Sequence, residues 1–270
     1  MAFNQKSLYN FNMRAFDIAG SVKCVQNYFL KHKLYTVIKR NAQLKERVKP
    51  SGKAYVCALG PSLKQVNLNK IKGDTIVVNR FFKIGKEFPE FVPTYYIMID
   101  CGFASEEHKK DFHEALDTYL PKGTIFFLNS QLAGTSLLEG YDKTNIYFVS
   151  CFRGNVHANR KYRLDGILPA FQNVVGAAEL VLMLLGYKEI SLLGCDFNSF
   201  ASRTRIHCYK DASEKRPSRM SQELFAYSLA AKGHDNLQEY ALANNVKIIN
   251  STKESLIDAY PLEIEENLYN

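Results

Sequence analysis

The residues best placed to do chemistry fall where apolar runs stop. Ala54-Tyr-Val-Cys-Ala-Leu-Gly-Pro-Ser-Leu63 is a strand-like run that ends at a Gly60-Pro61-Ser62 turn. Asn79-Arg80 follows Ile-Val-Val, Asp100 follows Tyr-Ile-Met-Ile, and Asp196 follows Leu-Leu-Gly-Cys. In open α/β sheets, ligands bind in the crevice beyond the carboxyl ends of the strands. Gly60, lacking a Cβ, would let backbone approach a ligand, and Pro61 suits the first position of a helix. Free N–H groups at residues 60–63 would then face an anion. The same residue types also serve as helix caps and turn formers, so the signal is their joint placement at strand ends.

Six histidines supply candidate bases. An imidazole titrates near neutral pH and suits removal of a proton from a hydroxyl. His32, His108 and His113 read as solvated residues on charged helical surfaces. His157 falls in a basic polar loop and His234 near a helix break. His207, in Arg203-Thr-Arg-Ile-His-Cys-Tyr209, stands first as the base, and Arg203 and Arg205 beside it suit phosphate or carboxylate. No D-x-D, H-E-x-x-H or calcium-type loop occurs, so no metal is expected. The six cysteines show no C-x-x-C spacing and read as reduced thiols.

These residues need a scaffold. Strands are predicted at 54–59, 75–79, 94–99, 123–128, 145–149, 189–195 and 246–250, most of them apolar without alternation, as for parallel strands covered on both faces. Helices fit at 105–118, 173–186 and 219–244, the second almost wholly apolar with Gly186 as its stop. The polar stretch 197–218 reads as a lid. The fold class is therefore α/β: a Rossmann-like, mostly parallel sheet with helices on both faces. Residues 1–50 form a basic helical extension to a domain spanning 51–270.

Composition narrows the partners. The chain has 270 residues, 46% of them hydrophobic, and a net charge of +8. That charge suits an anionic ligand or surface. Much of it lies between Lys31 and Lys49, which reads as a solvated face, with membrane-surface or oligomer contact as the alternatives. No apolar run reaches the roughly 18–20 residues of a membrane span, and no secretory leader is evident. A cytoplasmic protein is expected.

Ala58-Leu-Gly-Pro-Ser-Leu63, the strand ending in Asn79, and Leu185-Gly-Tyr-Lys-Glu-Ile-Ser-Leu-Leu-Gly-Cys-Asp-Phe197 resemble the bacterial family 42 sialyltransferases and related nonulosonic acid transferases. Val246-Lys-Ile-Ile-Asn-Ser-Thr-Lys-Glu-Ser-Leu256 is similar to that family's last strand and the turn after it. The resemblance covers roughly residues 53–257. It implies a CMP-activated acidic sugar (sialic acid, Kdo or another nonulosonic acid) as donor substrate and no cofactor. It also implies metal-independent, inverting transfer to a glycan hydroxyl in surface polysaccharide or lipo-oligosaccharide synthesis. By the resemblance, Gly60, Pro61, Ser62 and Asn79 hold the nucleotide. Asp100, Asn173 and Asn198 fall on further donor-binding positions, and Arg80 and Asp196 join the same set. Several positions depart from the pattern: Asp100 stands where the family has Asn, Asn173-Val174 near its Thr-Ser pair, Asn198 where it has Tyr, Leu59 where it has Asn and Ser228 where it has the catalytic His. Either His207 supplies the base or the chain handles a different donor or acceptor. The implied partners are a nucleotide sugar and a glycan acceptor, with no nucleic acid. Peripheral contact with the inner membrane and a homo-oligomer stay open. A Mg/ATP-dependent pterin pyrophosphokinase, which also carries a Gly-Pro-Ser-Leu turn, and a non-catalytic nucleotide or polyanion binder are the alternative readings.

Overall fold

The computed structural model describes residues 11–15, 18–19, 22, 36–170, 172–204, 207–210 and 219–269. Its centre is a parallel sheet of 8 strands in the order β6-β5-β4-β3-β2-β1-β7-β8. The strands are β1 (Lys53–Cys57), β2 (Asp74–Val78), β3 (Tyr95–Met98), β4 (Ile125–Asn129), β5 (Ile146–Arg153), β6 (Ile167–Ala170), β7 (Glu189–Leu193) and β8 (Lys247–Asn250). From residue 44 on, the α-helices among the described residues are α1 (Leu44–Arg47), α2 (Phe82–Gly85), α3 (Glu106–Tyr119), α4 (Val174–Leu185) and α5 (Met220–Ala243). The architecture is the α/β, Rossmann-like one expected from the strand patterns.

Continuous apolar runs form the inner strands because both faces are covered; all of β3, Tyr-Tyr-Ile-Met, is buried. Helix α4 packs across β1, β2 and β3 and against α5, and nine of its residues are buried. Asn173 caps its start, accepting the Gly176 N–H at 2.9 Å, and Gly186 ends it at φ 109°. The buried tyrosines of β3 have hydrogen-bond partners. Tyr95 Oη lies 2.9 Å from Tyr187 Oη, and Tyr96 Oη donates to the Asn79 carbonyl at 2.7 Å.

Several elements differ from the pattern-based expectation, among them the short helix α2, where no helix was expected. The edge strand β6 was not foreseen because Pro169 interrupts its apolar run; proline is tolerated in a strand mainly at a sheet edge, which is where β6 lies. The segment after Gly60 is a five-residue 3₁₀ helix, Pro61–Gln65 (5 residues), and not the start of an α-helix.

Residues 36–48 pack onto the sheet. Ile38 and Leu44 are fully buried, and Asn41 Nδ2 donates to the carbonyls of Phe148 and Leu164. Arg40 donates to the carbonyls of Lys143 and Thr144, and Arg47 to the Thr144 carbonyl and Tyr147 Oη. For these two arginines the basic stretch works as a clasp on the loop before β5. Its first part, 31–35, lies outside the described residues. Among the described residues no helix is long and apolar enough to cross a membrane.

Candidate active site

Connections from β1 run toward β2 and those from β7 toward β8, so the sheet order reverses between β1 and β7. A crevice opens at such a switch point. Here the two strand ends are stitched together beyond the ladder: Ala58 N–H donates to Leu193 O and Gly60 N–H to Gly194 O, both at 2.8 Å. Ser62 then donates its N–H (3.1 Å) and its hydroxyl (2.7 Å) to the Asp196 carboxylate. Burial pushes the Asp196 carboxyl above the ordinary carboxylate range, against those bonds.

This stitching corrects the expectation for residues 60–63. The Gly60 and Ser62 N–H groups bond to Gly194 and Asp196, Leu63 N–H returns to Gly60 O at 3.1 Å, and Pro61 has none. None of the four can serve an anion. The absent Cβ of Gly60 makes room for the protein's own Asp196: a Cβ there would lie 1.9 Å from Asp196 Oδ2. Gly194, at φ 67°, faces the same constraint from Leu63 and the Ala58 carbonyl. Ser62 is buried, and neither it nor Pro61 lines the crevice. Their work, and that of Asp196, is to fix the two loops against each other.

The loop after β8 secures β7 from the other side. Cys195 N–H donates to Thr252 Oγ1 at 3.0 Å, Ser255 Oγ to the Cys195 carbonyl at 2.6 Å, and Leu256 N–H to the Asp196 carbonyl at 3.0 Å. Burial raises the thiol of Cys57 to about 12 and that of Cys195 well above its ordinary value, so neither is a ready nucleophile.

The crevice has two lobes. The first, ≈ 710 Å³, is lined among others by Gly60, Asn79, Asn173, Asp196, Asn198 and His207. The second, ≈ 510 Å³, is lined among others by Asn79, Arg80, Asp100, His108, His207 and Tyr209. Leu59, Asn79 and His207 belong to both. Asn79 ends β2 at φ 46°, a left-handed conformation that Asn tolerates better than most residues. Its N–H continues the ladder to Ile97 O, and its buried Oδ1 has no hydrogen-bond partner among the described residues. An unpaired buried acceptor carries a desolvation cost that a ligand donor would relieve.

His207 reaches the crevice because its neighbour is tied down: Cys208 is fully buried and its N–H donates to Leu59 O at 2.8 Å. The imidazole stacks on Tyr209, centroids 5.1 Å apart. Arg203 is exposed and lines neither lobe, and Arg205 lies outside the described residues. Asp100 is exposed, and its Oδ1 accepts the Gly102 N–H at 2.8 Å. Arg80, expected among the donor-binding residues, has its guanidinium engaged within the protein. Its Nε donates to Asp111 Oδ2 at 2.6 Å, so its charge is already paired.

Two histidines are not where the charge pattern put them. His108, expected to be solvated, faces the second lobe. His234 lies within unbroken α5 and is 2% exposed. Its Nε2 lies 3.1 Å from Asn173 Nδ2 and its Nδ1 3.0 Å from Tyr260 Oη, which in turn donates to Glu179 Oε2. Asn173 Oδ1 is committed to the helix cap, so its amide N–H must donate to His234, and the ring proton sits on Nδ1. This buried chain runs from the carboxylate of Glu179, fully enclosed in α4, to the rim of the first lobe.

Sequence reasoning did not single out the first turn of α4 as part of the crevice wall. Val174 and Val175 line the first lobe, and the opening N–H groups of a helix lack intrahelical partners. The signal was present in Asn173, a strong cap ahead of an apolar helix. Phe197 was also missed; it holds φ 58° with its ring 4.7 Å from that of Tyr227 and 5.8 Å from that of His234.

No protein-family model and no curated protein matches the chain. Among solved structures it is similar to the monofunctional α-2,3-sialyltransferase Cst-I of Campylobacter jejuni, with a TM-score of 0.50 and 15% identity over 83% of this chain and 84% of that one. Sialyltransferase CstII of the same organism, in complex with cytidine-5'-monophosphate, gives a TM-score of 0.48 and 13% identity over 83% and 88%. At these identities the likeness is one of architecture, and the chain has the sialyltransferase-like fold of Cst-I.

Proposed function

We propose that the chain is a glycosyltransferase that moves an acidic sugar from a CMP-activated donor to a glycan hydroxyl. The observation that carries this reading is an imidazole, His207, common to two lobes of one crevice at the sheet's switch point. An imidazole where the two lobes join suits a reaction in which a base must stand beside a bound donor. The donor class is supported by the fold shared with a sialyltransferase and by the resemblance of the motifs around Gly60, Asn79 and Gly194.

In the proposed reaction the acceptor oxygen attacks the anomeric carbon and His207 takes its proton. The bond from that carbon to the phosphate oxygen breaks, and its electron pair leaves with CMP. Configuration inverts because attack and departure are on opposite faces. The N–H groups opening α4 stabilise the leaving phosphate, in place of residues 60–63. Asn79, Asn173 and Asn198 offer amides to ribose, base or sugar, and Asp100 accepts a hydroxyl. The reading needs no cofactor and no metal, and it places the protein in surface-glycan synthesis.

The test is CMP release from CMP-sialic acid and CMP-Kdo, followed by chromatography with and without a glycan acceptor. Release that persists in EDTA and drops at least about 100-fold in His207→Ala supports the reading. No release from any CMP-sugar, with ATP consumed only when Mg²⁺ is added, would refute it.

A further inference from the structure

Arg80 leaves the end of β2 and reaches one face of α3, where Asp111 and His108 stand one turn apart. Its Nε donates to Asp111 Oδ2 at 2.6 Å, and its Nη2 lies 2.8 Å from His108 Nδ1. A guanidinium can only donate, so His108 Nδ1 accepts and the ring proton sits on Nε2. That Nε2–H has no hydrogen-bond partner among the described residues, and the ring lines the second lobe. Asp111 and Arg80 thus hold His108 in one tautomer and one orientation, as a donor facing the crevice.

The same lobe carries Asp100, whose carboxylate accepts the Gly102 N–H and, on the crevice side, can only accept while ionised. A fitting ligand must therefore present an acceptor to His108 and hydroxyl donors to Asp100. A sugar that bears a carboxylate has both. A carboxylate is the better match for the His108 N–H, since a hydrogen bond to an ionised acceptor is roughly twice as strong as one to a neutral acceptor.

We propose that the second lobe is the subsite for the carboxylate of the acidic sugar, read by His108 Nε2–H with Arg80 behind it. The assignment rests on the glycosyltransferase reading. It gives His108 a positioning role in donor recognition, and selects the class of carboxylate-bearing sugars over neutral ones.

The experiment titrates CMP and CMP-sialic acid separately into the wild-type protein, His108→Ala and His108→Gln. CMP should bind all three alike. The extra affinity of CMP-sialic acid over CMP should fall about tenfold in His108→Ala and return in part in His108→Gln, whose amide can donate from a similar place. In turnover, KM for the donor should rise about tenfold in His108→Ala with kcat within about twofold, as for a lost uniform binding contact. A donor analogue with the carboxylate reduced to hydroxymethyl tests the subsite without any variant, and should bind wild type about tenfold more weakly than CMP-sialic acid, since its neutral oxygen is the weaker acceptor. Equal donor KM in His108→Ala and wild type, or full affinity for the reduced analogue, overturns the subsite. A folded wild-type protein that binds no CMP overturns the glycosyltransferase reading instead.

Discussion

Ser62 and Asp196 stand 134 positions apart in the chain and meet through two hydrogen bonds, N–H to Oδ1 at 3.1 Å and hydroxyl to Oδ2 at 2.7 Å. Through them the turn after β1 and the turn after β7 become one rigid rim. Removing the acceptor should leave two buried donors unpaired, so Asp196→Ala should lose about 2–4 kcal/mol of stability in urea unfolding.

Asp196→Asn should behave differently, and with a defined pH dependence. Burial raises the Asp196 carboxyl in the folded state, so its stabilising contribution is complete below the unfolded value of 3.8 and declines as pH rises through the folded value. At neutral pH the ionised group therefore carries a penalty that Asn lacks, and the variant should be within about 1 kcal/mol of wild type. As pH falls toward the ordinary carboxylate range, wild type should gain on Asp196→Asn. Urea unfolding at neutral and mildly acidic pH measures the difference, and a gap that widens in favour of Asn on acidification would contradict the assignment.

Gly60→Ala should be more damaging than its size suggests. The added Cβ would fall 1.9 Å from Asp196 Oδ2 and 2.6 Å from the Gly194 carbonyl, so the two turns would have to separate. Thermal unfolding should register a loss of about 3 kcal/mol, typical of overpacking at a site that cannot relax. CMP affinity should fall with it, because the rim moves.

His234 and Glu179 form a buried pair beneath the first lobe, with Nδ1 and Oε1 3.3 Å apart. His234→Leu should leave the Asn173 amide N–H without its acceptor and Tyr260 Oη without its donor, costing about 3 kcal/mol in denaturant unfolding. Glu179→Gln still accepts from Tyr260 and removes the buried charge, so its cost should be smaller. The reverse order would show that the network does not hold Asn173 as described.

The sheet was legible from sequence because each parallel strand is an apolar run closed by a polar residue, and these runs set seven of the eight strands. The strand-end residues likewise converge, since topology alone brings Asn79, Asp100 and Asp196 to one edge. What sequence could not give is which polar group spends its bonds inside the protein. Gly60, Ser62 and Arg80 look like ligand contacts as residue types, yet Asp196, Gly194 and Asp111 have already engaged them. His108 was hidden for the converse reason: its lysine and glutamate neighbours on α3 read as solvated, while one face of that helix meets the crevice.

The most direct measurement is calorimetric titration of CMP into wild type and Asn79→Gly, which keeps the left-handed backbone at φ 46° and deletes the amide. A micromolar dissociation constant for wild type, weakened by about tenfold or more in a folded Asn79→Gly, is the expected result. A folded wild-type protein with no measurable affinity for CMP, or equal affinity in the two proteins, would contradict a CMP-sugar crevice between β1 and β7.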